Sequence, residues 1–333
     1  MSKYDASSLE LEEPFTIQIA RPVSTRNYNI KSFIRRIFNL NDVPNKKQHL
    51  PLFIIAISIL HISIYFSRFI YDSKKDQHFA MTLYHLFKLY IPCMRPTSHF
   101  IRSRVVKCIR LTTNGTCYYD EVLKQTCFTF LYPNQLWRMI TVNFSHLEWL
   151  HLLSNLLAQL VQGIPLERKY GSICIAIIYW LSGLGANLSF MTLHRTEEAT
   201  GASGSLYGLM LFLIVDRLIA IQANVEQRRF LILQLTLLLL PHIVVSIPLI
   251  IKFNVAHSAH VGGGLVGFLI GIGMLGYPRS WNNRYCIRQI TCRLIAFILL
   301  CIFYVITISI FFIQDVPVVY SIYYSPNPQI YLE

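Results

Sequence analysis

Charged residues are scarce in this chain: they make up 14% of its 333 residues, while hydrophobic residues make up 53%. In a soluble domain about a quarter of the residues are usually charged. The shortage excludes an ordinary soluble globular protein, and the long apolar runs indicate a polytopic membrane protein that sits in the lipid bilayer. The chain also lacks zinc-finger spacing and basic-aromatic motifs. We therefore predict no metal site, no cofactor and no nucleic-acid partner, despite the net charge of +13.

Seven apolar runs are each near the roughly 20 residues that cross the hydrocarbon core as a helix. The predicted spans are residues 50–70, 146–162, 172–193, 201–220, 230–251, 254–277 and 294–313. We therefore predict an all-α membrane protein in three parts. These are a largely disordered N-terminal tail (1–49), a seven-span domain (50–313) with a long loop at 71–145, and a C-terminal tail (314–333). The tail shows no signal-peptide pattern, and its residues 30–40 are expected to lie on the membrane as a short basic segment.

Lysine and arginine are unevenly divided between the two sides of the predicted membrane domain. The short loops after spans two, four and six carry Arg168, Lys169, Arg217, Arg228, Arg229, Arg279, Arg284, Arg288 and Arg293. The opposite short loops and the C-terminal tail carry very few. By the positive-inside rule, we expect a cytosolic N-terminus and an exoplasmic C-terminus.

The long first loop would then be exoplasmic. It contains Cys93, Cys108, Cys117 and Cys127, for which one or two disulfides are expected, and the sequence leaves their pairing open. It also contains the motif Asn114-Gly115-Thr116, which is a possible glycosylation acceptor at Asn114 on that side of the membrane.

The stretch Gly201-Ala202-Ser203-Gly204 begins the fourth span. Taken alone, a serine among glycines is more typical of close helix packing than of chemistry. Ionisable groups within spans are costly, however, and are functional candidates for that reason. Spans two, four and six enter from the same side, so His151, Ser203 and His260 are all expected in the outer half of the bilayer.

Glycines spaced four residues apart predict where two of these spans meet. Gly204 and Gly208 lie on one face of span four, and span six offers Gly263, Gly267 and Gly271. Such faces let two backbones approach closely, which would bring His260 beside Ser203. His260 is then the candidate base for Ser203, with interhelical hydrogen bonding alone as its other interpretation.

His151 and Asn155 share one face of span two, since they are four residues apart. Both side chains can donate hydrogen bonds to an oxyanion, although a polar pair that links two helices fits the spacing nearly as well. The nearest acid after Ser203 on span four is Asp216, at about 20 Å along the helix. We therefore predict a serine–histidine pair without a third, acidic member.

Several ordered motifs between Trp137 and Gly271 together resemble the rhomboid intramembrane serine proteases. These are Trp137-Arg138, the group His146, His151 and Asn155, residues 159–171 as in the secretase-type eukaryotic branch, Gly201-Ala202-Ser203-Gly204 with Tyr207, and His260 with its glycines. The resemblance implies a six-helix bundle plus one C-terminal helix. The chain departs from the family pattern at Ser205, where glycine is common, and at Gly208, where alanine is common.

The resemblance also implies a role for each matching residue. Ser203 would be the nucleophile and His260 the general base. Asn155 and His151 would bind the oxyanion together with the Ser203 amide. Supporting or structural roles would fall to Tyr207, Gly201, Gly204, Gly263, Gly267, Trp137, Arg138 and Glu167.

The function implied is cleavage of single-pass membrane proteins near their exoplasmic face, in a secretory-pathway membrane (Golgi, endosomal or plasma membrane). Two other functions remain open from the sequence. One is a non-proteolytic, rhomboid-like binder of membrane clients. The other is a transporter in which His151, His257 and His260 line a path, although no inverted repeat is evident.

Overall fold

A computed structural model of the chain describes residues 30–40, 48–73, 87–107, 116–127, 134–146, 148–194, 198–252, 256–276 and 285–316. Its helices are α1 (Ile30–Ile37), α2 (Leu52–Ser73), α3 (Ile91–Met94), α4 (His99–Arg102), α5 (Tyr119–Cys127), α6 (Arg138–Thr141), α7 (Trp149–Ala158), α8 (Ile164–Tyr170), α9 (Ser172–Leu193), α10 (Ser203–Ala223), α11 (Arg228–Lys252), α12 (His257–Leu275) and α13 (Tyr285–Ile313). A short antiparallel ribbon of β1 (Val105–Lys107) and β2 (Thr116–Tyr118) lies in the first loop. The predicted all-α class is confirmed.

Four helices in the described part are long and apolar enough to cross a membrane. They are α9, α10, α12 and the segment Gln289–Ile313 of α13. Helices α2 and α11, and the continuous segment from α7 to α8, lie at the other three predicted runs. The chain is thus a polytopic helical membrane protein, and the count of seven spans remains a prediction.

Several expectations fall on parts of the chain outside the described residues. They concern Asn114, Cys108 and most of both tails. Residues 1–36 form a unit of their own, of which the structure describes helix α1 up to Arg36. The last turn of that helix carries Arg35 and Arg36, and Ile30 and Ile34 are exposed, as in a short basic amphipathic segment.

The helix at the second predicted span, residues 146–162, begins at Trp149 and extends beyond the end of that span. The helix continues through a π-helical turn at Gln159–Gly163 and through α8 to Tyr170. Pro165 explains the turn, because proline has no N–H to donate to the carbonyl of Val161 and the hydrogen-bond ladder must widen there. Gly171 then ends the helix with a φ of 86°, a conformation that favours glycine.

Helices α9, α10 and α12 pack against one another at the centre of the molecule. A Cβ added at Gly263 would lie 2.1 Å from the carbonyl oxygen of Gly204, and one at Gly267 would lie 2.0 Å from that of Gly208. The backbones of α10 and α12 therefore touch along the glycine faces. Helix α13 packs on α9 and α12, and the Tyr304 hydroxyl donates to the Leu181 carbonyl at 2.7 Å.

Candidate active site

Ser203 and His260 are joined by a hydrogen bond of 2.8 Å between Oγ and Nε2. Ser203 is the first residue of α10 and His260 the fourth of α12, so each lies in the first turn of its helix. The glycine contact between the two helices begins one residue after Ser203, at Gly204 against Gly263. This close approach brings the two side chains into reach of each other.

Gly201 makes the turn that presents Ser203. Its φ is +109°, and its amide donates to the Val142 carbonyl at 3.2 Å. A Cβ at this position would lie 2.6 Å from Cε1 of His151 and 3.6 Å from Nδ2 of Asn155. Glycine is therefore required both by the backbone conformation and by the space, and the turn lies directly against His151 and Asn155.

Asn155 is buried and is held by His146, which belongs to the same sequence motif. Nδ2 of Asn155 lies 2.8 Å from Nε2 of His146. Because an amide nitrogen only donates, His146 accepts at Nε2 and its own proton is on Nδ1. The His146 ring also contacts the rings of His151 and His61, each with centroids 5.3 Å apart. Asn155 keeps a second N–H for another acceptor.

Tyr207 stacks on His260. The ring centroids are 4.1 Å apart and the planes differ by 10°. Tyr207 is itself contacted edge-on by His242 of α11, whose Nδ1 lies 3.3 Å from Nε2 of Gln162. This stack restricts the rotation of the His260 ring, which keeps Nε2 directed at Ser203.

His61 and His242 were missed by the sequence reasoning. Each is an ionisable residue inside an apolar run, which is by itself a signal of function. No motif or spacing in the sequence links either histidine to Ser203. In the structure, His242 contacts the ring of Tyr207, which in turn stacks on His260, the partner of Ser203. His61 contacts the ring of His146.

Ser205 and Gly208, which depart from the family pattern, both lie against small residues of α9. The Ser205 hydroxyl donates to Oδ1 of Asn143 at 3.2 Å and lies 2.4 Å from where a Cβ of Gly183 would be. At Gly208, an added Cβ would lie 2.0 Å from Oγ of Ser182. Each exchange is accommodated by its partner, so the packing around Ser203 is preserved.

No carboxylate among the described residues is hydrogen-bonded to His260. Asp216 instead accepts from Lys169 at 2.8 Å, from Nε of Arg217 at 2.7 Å and from the hydroxyl of Tyr170. Within the same residues, no group of three metal-ligating side chains is found either. The site thus offers a hydroxyl, imidazoles, a carboxamide and backbone amides.

Glu167 and Arg138 are buried and bonded in ways that join separate segments. The Glu167 carboxylate accepts from the amides of Phe53 at 2.7 Å and Ile54 at 2.8 Å, and from the Ser172 hydroxyl. Arg138 stacks on Trp137 and donates from Nη1 to the Lys88 carbonyl at 2.9 Å. The first of these side chains caps α2, and the second anchors the first loop.

This fold and site define a class of protein. It is a polytopic helical membrane protein with a hydrogen-bonded serine–histidine pair at two touching helix N-termini. The comparisons with known proteins place it more narrowly. Residues 133–277 match the family model of the rhomboid domain, and this range contains the serine, the histidine, Asn155 and the glycine faces. Residues 133–277 of the chain are therefore assigned to the rhomboid family.

Relatives in plants and fungi support this assignment. The chain is 32% identical to RHOMBOID-like protein 4 of Arabidopsis thaliana over 149 residues, which is 44% of this chain and 36% of that protein. It is 32% identical to RHOMBOID-like protein 1 over 160 residues, 46% and 39% of the two chains. It is 28% identical to Rhomboid-type serine protease 2 of Emericella nidulans over 153 residues, 46% and 29%. The matches thus span less than half of each relative.

Proposed function

We propose that this chain is an intramembrane serine endopeptidase that cleaves single-pass membrane proteins near their exoplasmic face. The observation that carries the proposal is the 2.8 Å hydrogen bond between Ser203 Oγ and His260 Nε2. A serine hydroxyl is a weak nucleophile until a base in hydrogen-bond reach accepts its proton. The fungal relative is named as a serine protease, which is consistent with the same chemistry.

The reaction would begin when Oγ of Ser203 attacks the scissile carbonyl and His260 Nε2 takes the hydroxyl proton. The tetrahedral intermediate collapses as the C–N bond breaks, and His260 returns that proton to the leaving amine. A water molecule then attacks the acyl-enzyme with His260 as base, which releases the new carboxyl end and restores Ser203. Because Asp216 is bound to Lys169 and Arg217, the pair works as a dyad.

The oxyanion of the intermediate would be stabilised by donors that lie around Gly201. These are the remaining N–H of Asn155, the imidazole of His151 and the backbone amide of Ser203 at the N-terminus of α10. The helix dipole adds to this stabilisation because α10 begins at the serine. His146 would hold the Asn155 carboxamide in place through its 2.8 Å hydrogen bond.

The setting of this site supports a proposal for the substrate and the location. We infer that an unwound segment of a membrane protein enters from the lipid between the second and fifth spans, since backbone amides in a helix are shielded from attack. The disulfide between Cys93 and Cys127 favours an oxidising, exoplasmic first loop. Together with the basic residues on the other side, it supports a cytosolic N-terminus, an exoplasmic C-terminus and a secretory-pathway membrane.

The test compares the wild type with Ser203→Ala and His260→Ala on a panel of tagged single-pass substrates. We expect both variants to lose cleavage by roughly 10⁶-fold, to background. Ser205→Ala is the matched control, because this neighbouring serine is bonded to Asn143 and not to the histidine. A fluorophosphonate should label the wild type and Ser205→Ala, and should leave Ser203→Ala unlabelled.

Cleavage that survives Ser203→Ala would end the protease proposal. Wild-type protein that binds the panel without cleaving any member, and that the fluorophosphonate does not label, would instead favour a rhomboid-like binder of membrane clients. Solute uptake into vesicles that is lost in His260→Ala would favour a transporter.

A further inference from the structure

Lys88 and Glu198 form a buried ion pair beside the loop that leads to Ser203. Nζ of Lys88 lies 2.6 Å from Oε1 of Glu198, and the two side chains are 0% and 5% exposed. The ammonium also lies 4.8 Å from the ring centroid of Tyr90. The two residues are 110 positions apart in the chain, so the pair fastens the first loop to the loop before α10.

Backbone hydrogen bonds continue this attachment toward the serine. Leu89 and Ala199 form an antiparallel bridge, with the Leu89 amide donating to the Ala199 carbonyl at 2.9 Å. Two residues further on, the Gly201 amide donates to Val142. The segment from Glu198 to Ser203 is therefore held at its start by the ion pair and near its end by the Gly201 turn.

The first-loop side of this attachment is itself braced. The Lys88 carbonyl accepts from Arg138, whose Nε donates to Oε1 of Gln135 at 2.7 Å. The backbone amide of Gln135 donates to the Cys93 carbonyl at 3.0 Å, and its side chain donates to the Cys127 carbonyl at 2.6 Å. A continuous series of bonds thus runs from the Cys93–Cys127 disulfide to Glu198.

We propose that Lys88 and Glu198 are positioning residues that set the backbone of residues 198–203, and with it the Ser203 amide and the Gly201 turn beside His151. We call this pair the Lys88–Glu198 clamp. The inference rests on the proposed function, in which that amide binds the oxyanion. A donor displaced by about 1 Å can lower the rate of the chemical step by roughly 10²-fold without weakening substrate binding.

The charge of the clamp changes within an accessible pH range. Burial lowers the pKa of Lys88 to about 8, with Glu198 opposing the shift and the nearby Arg138 adding to it. The ion pair is therefore lost as the pH rises through about 8. The folded pKa lies below the ordinary 10.5, so the folded state binds fewer protons than the unfolded state between these values, and deprotonation does not destabilise the fold through this group.

The experiment measures kcat and KM against pH for full-length protein in liposomes. For the wild type we expect kcat to fall above pH 8 at nearly constant KM. Lys88→Arg keeps its charge and should lose this alkaline fall. Glu198→Gln removes the ion pair at every pH, so its kcat should be roughly 10²-fold lower already at neutral pH and should show no further fall above pH 8. The control is Lys124→Ala, which removes the exposed ion pair with Asp120 in the same loop and should match the wild type.

Hydrogen exchange separates this inference from the proposed function. In a Ser203→Ala background, Glu198→Gln should speed the exchange of amides 198–202, and Lys124→Ala should not. An alkaline fall of kcat that is unchanged in both clamp variants, or exchange that is unchanged in Glu198→Gln, would overturn the inference. A wild type that neither cleaves nor takes the fluorophosphonate overturns the protease proposal, while the exchange measurement still tests the clamp.

Discussion

The two ends of the helix bundle use polar residues in opposite ways. At one end, which we call the Glu167 end, the buried groups are charged and bonded to several partners: Glu167 caps α2, and Asp216 binds Lys169 and Arg217. At the other, the Ser203 end, the side chains of the site itself are a serine, histidines and an asparagine, and the nearest buried charges, Lys88 and Glu198, lie in the loops beside it. The first arrangement stabilises the fold, whereas the second leaves donors and a nucleophile in reach of a ligand.

The difference follows from the cost of burying charge. A buried charge is tolerated only when partners surround it, and such a group has little capacity left for chemistry. Arg217 illustrates this, because its other nitrogens donate to Gln234 at 3.0 Å and to the Leu40 carbonyl at 3.0 Å. Helices at the Ser203 end are joined instead by glycine packing, which needs no charge and allows a close approach.

Removing the carboxamide of Asn155 is the strongest test of this comparison between the two ends of the bundle. We expect Asn155→Ala to lower kcat by roughly 10²- to 10³-fold with KM nearly unchanged, because an oxyanion donor acts mainly in the transition state. The measurement is steady-state cleavage of a substrate that the wild type cuts. Asn187→Ala is the matched control, since that carboxamide donates to the Met139 carbonyl at 2.6 Å and belongs to the packing. Equal losses in both variants would contradict the distinction.

The glycine faces provide the second test. Gly263→Ala would place a methyl group 2.1 Å from the Gly204 carbonyl oxygen, a backbone atom that cannot rotate away. We expect the helices to separate and His260 to move from Ser203, with fluorophosphonate labelling slowed by about 10²-fold. Gly273→Ala is the control on the same helix, since nothing lies within 4 Å of its added Cβ. If both variants label at the wild-type rate, close approach is not what positions the pair.

Much of this arrangement could be predicted from local patterns. The third span was predicted at residues 172–193, and α9 is Ser172–Leu193, because a long apolar run bounded by Gly171 leaves few choices. The meeting of Gly204 with Gly263 was also predictable, since a spacing of four residues defines a helical face. Such patterns are short-range and need no knowledge of which helices are neighbours.

The rest depends on contacts between distant residues. Lys88 and Glu198 carry no motif, and each alone looks like an ordinary loop charge, so their pairing became visible only in three dimensions. His242 likewise acquires a place only because α11 packs beside α10 and brings its ring against Tyr207. Likewise, the disulfide partners could not be chosen among the loop cysteines until the structure joined Cys93 to Cys127.

The smallest effect on the reaction is expected at the Glu167 end. Glu167→Gln keeps the shape of the side chain but offers one acceptor oxygen in place of two, so one of the amides of Phe53 and Ile54 loses its partner. We expect the free energy of unfolding to fall by about 1–3 kcal/mol, with kcat per labelled enzyme within about twofold of the wild type. Denaturant unfolding in detergent and active-site titration measure the two quantities. Glu226→Gln, in an exposed turn, should change unfolding by less than about 0.5 kcal/mol. A loss of kcat in Glu167→Gln without a loss of stability would mean that the two ends of the bundle are coupled, and that the division between structural charge and reactive neutral groups is wrong.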